Sequence, residues 1–177
     1  MNVLLDEQEV RQGVNRMAGD ITAAFQDKSL TIVGVLTGSV VLLADLIRLV
    51  DLPMRVGVVH ASSYRGATTI RGPLVINSDL MPDISDRDVL VVDDIFDTGN
   101  TMVELLSLME KLGPSSVKTA VLLRKKARCE VDLQPDFIGF DIPNEFVVGY
   151  GLDYQDAYRN LPFVGTLEPD EINSTPP

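Results

Sequence analysis

Hydrophobic positions at steps of three or four open the chain. Val10, Val14, Met17, Ile21 and Phe25 lay one apolar stripe along a helix, and Asp6 with Glu9 has capping-box spacing. Such a stripe covers a sheet. Thr31 to Leu36 is a β-branched and apolar run that stops at Gly38, after which Ser39 could cap a helix from Val40 to about Leu49. Met54 to His60 reads as the next strand. Ala61 to Pro73, rich in Ser, Gly and Thr with little apolar periodicity, is expected as a mobile loop. Val89 to Val92 is a continuous apolar run of the kind found in strands buried on both faces, and it breaks at Asp93 into a polar turn. Met102, Leu105, Leu106, Met109 and Leu112 then recur at helical spacing, with Gly113 and Pro114 as the stop. Val117 to Leu123, Phe137 to Phe140 and Phe146 to Val148 are further strands.

Strands alternating with helices predict an α/β domain with a central, mostly parallel sheet, whose ligands sit beyond the carboxyl ends of the strands. With 177 residues, no internal repeat and no shift in composition, residues 1–167 are expected as a single domain and 168–177, ending in Pro-Pro, as a flexible tail.

Charge narrows the function. Lys and Arg number 15 against 26 Asp and Glu, a formal charge of -11, so the surface repels nucleic-acid backbones and anionic lipid. Neither nucleic acid nor membrane is expected as a partner. The one cysteine, Cys129, cannot form an intramolecular disulfide, and no secretory leader or spanning segment is legible; the run from Val40 to Val50 is broken by Asp45 and Arg48. A cytoplasmic protein is expected, one that must handle any anion in a local pocket.

The segment Asp93-Asp94-Ile95-Phe96-Asp97-Thr98-Gly99-Asn100-Thr101 follows a buried strand and precedes a helix. Amides from Thr98 to Thr101, including those of Gly99 and Asn100, stand at the helix N-terminus, and with the two threonine hydroxyls they suit a phosphate monoester. Asp93 and Asp94 cannot bind phosphate, but they suit vicinal hydroxyls, directly or through hydrated Mg²⁺. Asp97 lies between these parts, where a carboxylate could serve as a general base. A lone Asp-Thr before a helix would be no more than a cap; three carboxylates within five positions are harder to explain that way. The spacing does not match a phosphoaspartate Asp-x-Asp-x-Thr, a P-loop or a Gly-x-Gly-x-x-Gly turn.

This segment resembles the phosphoribosyl-diphosphate signature of the type I phosphoribosyltransferases. The resemblance extends to the hypoxanthine-guanine phosphoribosyltransferases through Leu36-Thr37-Gly38-Ser39, Ser62-Ser63-Tyr64, Pro135 to Phe140, Asn144 to Tyr154, and Tyr158 to Pro162. It implies the type I fold, with a small hood built by terminal segments. It implies Asp93 and Asp94 at the ribose, Asp97 near N7 of the purine as well as at the 5′-phosphate, and Thr98 to Thr101 around that phosphate. Thr37, Gly38 and Ser39 would form the diphosphate loop, with a cis peptide at Leu36-Thr37, and Arg159 would contact the leaving diphosphate. Lys125 would donate to the purine O6, Phe146 would stack on the base, Val147 would meet its edge through the backbone, and Asp153 would bind Mg²⁺. Ser63 and Tyr64 would begin a catalytic lid. Relatives usually carry Glu in place of Asp93, so this shorter arm is expected to work through metal or water, and many carry Lys or Arg in place of Thr37.

The expected activity is Mg²⁺-dependent transfer of 5-phosphoribose from 5-phosphoribosyl 1-diphosphate to N9 of hypoxanthine or guanine, with metal contacts from Asp93, Asp94 and Asp153. A xanthine-preferring transferase and a non-catalytic sensor are the alternatives. The apolar helix from Val40 to Val50 exceeds one buried face, which suggests packing against a second subunit, and the family resemblance implies a homodimer or homotetramer.

Overall fold

The computed structural model describes residues 1–63 and 74–172. The chain begins with strand β1 (Asn2–Leu5) and helix α1 (Glu7–Ala24), followed by β2 (Leu30–Leu36), α2 (Val40–Leu49), β3 (Arg55–Ser63) and β4 (Leu74–Asn77). Next come β5 (Asp88–Phe96), α3 (Asn100–Glu110), β6 (Ser116–Arg124) and β7 (Phe137–Asp141). It closes with β8 (Val147–Val148), β9 (Val164–Thr166) and the short α4 (Pro169–Ile172).

Six strands form the main sheet in the order β4-β3-β2-β5-β6-β7, parallel throughout except for the β3–β4 pair. Alternate residues of its central strands feed two cores. Leu30, Ile32, Leu90, Val92, Ala120 and Leu122 pack with α1 and α2 on one face. Val33, Val35, Val89, Val91 and Val121 pack with Met102, Leu105 and Met109 of α3 on the other. Both faces are covered, which is why β5 reads as an uninterrupted apolar run. The chain leaves β2 toward β3 on one side and β5 toward β6 on the other. A crevice therefore opens between the carboxyl ends of β2 and β5, where such sheets place ligands.

A second sheet, β1-β9-β8, joins the two ends of the chain and forms the expected hood. Its strands β1 and β9, and β4 in the main sheet, are additions to the elements the pattern predicts; each has at most four residues and forms only against a distant partner. The polar tail opens with α4, where Glu171 pairs with the N-terminal ammonium at 2.7 Å and Glu168 accepts from Asn2. The capping box of α1 forms as expected, Asp6 accepting from the Glu9 amide and Glu9 from the Asp6 amide, both at 2.8 Å. The expected Ser39 cap does not form. Ser39 lies in a helical conformation, φ −74 and ψ −5, and its buried hydroxyl donates back to Val35 O at 2.6 Å. Of the segment expected as a loop over Ala61 to Pro73, Ala61 to Ser63 belong to β3 instead, and Ser63 pairs in register with Leu74. Tyr64 and the rest of the expected lid to Pro73 lie outside the described residues. Among the described residues no helix is long and apolar enough to cross a membrane.

Candidate active site

Three loops meet at the carboxyl ends of β2, β5 and β6. The first runs Thr37-Gly38-Ser39, and the Leu36-Thr37 peptide is cis. Thr37 is exposed, whereas Ser39 is buried and gives both its amide, at 3.3 Å, and its hydroxyl to Val35 O. The Ser39 hydroxyl is thus turned into the fold, where it fastens the loop, and the accessible surface there belongs to Thr37, which is exposed, and Gly38, which is half-buried.

The second loop continues β5. Asp93 is buried and Asp94 half-buried at the end of the strand, with Asp93 Oδ1 accepting from the Asp94 amide at 2.9 Å and Asp94 Oδ1 from the Ile95 amide at 2.8 Å. Burial pushes the Asp93 carboxyl well above its ordinary value, and the neighbouring Asp94 charge adds to the shift. Asp94 is raised as well, by burial, against hydrogen bonds from the local backbone and the positive charge of Arg159. Two adjacent acids held this way are costly in the absence of a ligand. They fit a divalent cation of the magnesium type, which ordinarily takes one or two carboxylates and completes its shell with substrate and water oxygens. Among the described residues no group of three or more His, Cys, Asp or Glu side chains is gathered to hold a metal ion.

Gly99, the residue before α3, has φ +89, a conformation that an L side chain resists, and a Cβ there would strike Val131 and Phe96. The turn is tied to the segment after β6. The Glu130 amide donates to Thr98 O at 3.0 Å, and Asn100 Nδ2 donates to Thr98 Oγ1 at 3.2 Å and to Glu130 Oε2 at 3.1 Å. The amides at the start of α3 therefore stand on a braced turn.

Asp97 is the unusual group. Its Oδ1 is buried, and Arg128 Nε lies 2.8 Å away, yet the N–H is not aligned for a hydrogen bond and no other described residue supplies one. The ion pair is real by distance, and the oxygen still lacks a directed donor. Such an oxygen normally needs an explanation in function or solvent. Arg128, which sits in a 3-10 turn at Lys126–Arg128, is a site residue that sequence reasoning missed: among Lys125, Lys126 and Arg128 only the fold decides which cation meets Asp97.

Lys125 begins that turn. Its amide donates to Phe96 O at 2.9 Å and its side chain is only 7% exposed, so burial holds the ammonium below its ordinary pKa while Asp97 opposes the shift. Lys126 points away to Asp141 at 2.7 Å. Phe146 is 45% exposed and edge-on to Tyr154, with ring centroids 5.5 Å apart, which leaves it open to a flat ligand. Val147 is buried on the outer strand of the hood, paired with Thr166. Asp153 and Arg159 form an ion pair at 2.8 Å, and Arg159 also donates to Gly151 O at 2.7 Å. Of the expected lid, Ser63 closes β3 and Tyr64 lies outside the described residues.

Known proteins share this fold and much of this sequence. Residues 2–155 match the model of the phosphoribosyl transferase domain. The chain is 41% identical over 167 residues to the hypoxanthine-guanine phosphoribosyltransferase of Staphylococcus epidermidis, covering 94% of this chain and 93% of that one. A crystal structure of a hypoxanthine phosphoribosyltransferase from Staphylococcus aureus superposes with a TM-score of 0.90 at 38% identity, over 96% of this chain and 92% of the other. A variant of the Trypanosoma cruzi hypoxanthine phosphoribosyltransferase, in a ternary substrates complex, gives 0.89 at 33% identity over 98% of both.

Proposed function

The chain belongs to the phosphoribosyl transferase family, among proteins named hypoxanthine-guanine phosphoribosyltransferase, and from that premise we propose how its site works. It is a purine-salvage phosphoribosyltransferase, moving 5-phosphoribose from 5-phosphoribosyl 1-diphosphate to a 6-oxopurine. In the reaction, purine N9 bonds to the anomeric carbon as the bond to diphosphate oxygen breaks, and the purine gives up a proton.

The observation that carries the site reading is the Asp97 oxygen without an aligned donor, between the braced Thr98–Thr101 turn and the buried Lys125 ammonium. The 5′-phosphate is placed on the α3 amides and the Thr98 and Thr101 hydroxyls. The ribose hydroxyls are placed on Asp93 and Asp94. With the sugar so fixed, Asp97 faces the base and accepts its N7 proton as N9 attacks. Lys125 donates to O6; an ammonium can donate but not accept, so it rejects a 6-amino group. Phe146 stacks on the ring, and the Val147 backbone meets its edge. Arg159 and the Thr37-Gly38 backbone meet the diphosphate. Asp93, Asp94 or Asp153 would hold Mg²⁺, which would supply charge neutralisation at the leaving group. Ser63 and Tyr64 begin a lid that excludes water from the ribosyl centre. The exposed Val40, Ile47 and Leu49 on α2 support a homo-oligomer.

The test is ultraviolet detection of nucleotide formation with hypoxanthine, guanine, xanthine, adenine and uracil, each with Mg²⁺ and with chelator. Product from hypoxanthine or guanine alone, abolished by chelation, is expected. Xanthine preferred over both would reassign the base, and binding of phosphoribosyl diphosphate without product from any base would make the protein a sensor.

A further inference from the structure

Three consecutive residues after β8 have positive φ: Gly149 at +94, Tyr150 at +47 and Gly151 at +100. Glycine accepts this conformation freely; tyrosine does not, so contacts must hold Tyr150 in it. Its backbone is stitched to the segment carrying Arg159: the Tyr150 amide donates to Leu161 O at 2.9 Å and the Gly151 amide to Arg159 O at 3.0 Å. Its ring is buried and runs to α2, where Tyr150 Oη donates to Asp45 Oδ2 at 2.5 Å. Burial and that carboxylate push the phenol above its ordinary range, so the hydroxyl stays a donor.

The tie closes a ring of contacts. α2 starts directly after Ser39, so its first turn carries the Thr37-Gly38 loop while its middle carries Asp45. From the other end, Gly151 lies against that same loop: a Cβ on Gly151 would run into Gly38 O. The spacing between the turn that follows Val147 and the loop at Gly38 is therefore set twice, once by backbone contact and once through the Tyr150–Asp45 bond. The backbone contact sets how close the two can come, and the side-chain bond stops them from drifting apart. We infer that Tyr150 and Asp45 are positioning residues that hold the purine-side turn and Arg159 against the diphosphate loop. The inference rests on the roles proposed above for Thr37, Gly38 and Arg159.

Steady-state kinetics on wild type, Tyr150→Phe, Asp45→Ala, Asp45→Asn and the double variant Tyr150→Phe/Asp45→Ala test it, with thermal midpoints recorded for each. Loss of this one hydrogen bond to a carboxylate is expected to raise KM for phosphoribosyl diphosphate about tenfold in Tyr150→Phe and Asp45→Ala. KM for hypoxanthine and kcat are expected to stay within about twofold, and the double variant to be no worse than either single, because both remove the same bond. Asp45→Asn keeps an acceptor and is expected to behave as wild type. A lower midpoint with both KM values unchanged would make the pair ordinary packing and overturn the inference. So would an Asp45→Asn variant as defective as Asp45→Ala, since the effect would then lie in the charge. Wild type that transfers nothing would sink the functional reading itself, an outcome distinct from an active wild type with unaltered variants.

Discussion

Gly38 and the Asp94 carboxylate compete for one volume: a Cβ on Gly38 would coincide with Asp94 Oδ2. The Thr37-Gly38-Ser39 loop and the acidic pair thus pack against each other with no room for a side chain. Gly38→Ala must displace either the loop or the carboxylate. Overpacking of this kind costs about 1–3 kcal/mol, so the thermal midpoint is expected to fall by several degrees. The value of kcat/KM for phosphoribosyl diphosphate is expected to fall by more than tenfold, roughly what 1.4 kcal/mol of lost transition-state binding gives. Thermal unfolding and initial rates check both.

Asp93 carries a burial cost, increased by the neighbouring Asp94 charge. Its folded pKa lies above its ordinary 3.8, so the folded state keeps a proton that the unfolded chain releases. Stability therefore falls as pH climbs from near 3.8 through the raised value. Asp93→Asn keeps an oxygen for the Asp94 amide and removes the charge. Its unliganded form is expected to be more stable than wild type at pH 7 by about 0.5–2 kcal/mol, with the advantage shrinking toward pH 4, and its kcat/KM to fall. Urea midpoints at the two pH values read the effect.

Lys125 shifts the other way. Its folded pKa is below 10.5, so between that value and 10.5 the unfolded chain holds a proton the folded protein has lost, and this group's contribution to stability rises with pH. Lys125→Met removes that rise, so the urea midpoint of wild type is expected to gain on that of the variant as pH becomes alkaline. The variant is also expected to lose most of its preference for hypoxanthine over adenine, since the fixed donor is gone. Competition assays with the two bases measure it.

The parts of the fold legible from sequence are those whose signal is local. The stripe of α1, the buried run of β5 and the spacing in α3 follow from burial at fixed periods, and the turn from Asp97 to Thr101, with Asp93 and Asp94 before it, is contiguous in the chain. What the pattern hid depends on distant pairings. β1 exists because Val3 meets Gly165 across the hood, and nothing in its four residues announces that. Tyr150 and Asp45 are 105 residues apart, and Arg128 is chosen over the neighbouring lysines by a turn that only β5 and β6 position. A serine before a helix usually caps it, but the helical backbone at Ser39 turns the hydroxyl back to Val35, and that depends on the fold around it.

The most direct test of the site is Asp97→Asn, which keeps the shape of the side chain and removes its basicity. With hypoxanthine and phosphoribosyl diphosphate both saturating, kcat is expected to fall about 10²–10³-fold, within the usual range for a general base, while both KM values change by less than about threefold. Turnover close to wild type in a folded Asp97→Asn variant would contradict the account, because the proton would then leave the purine by another route.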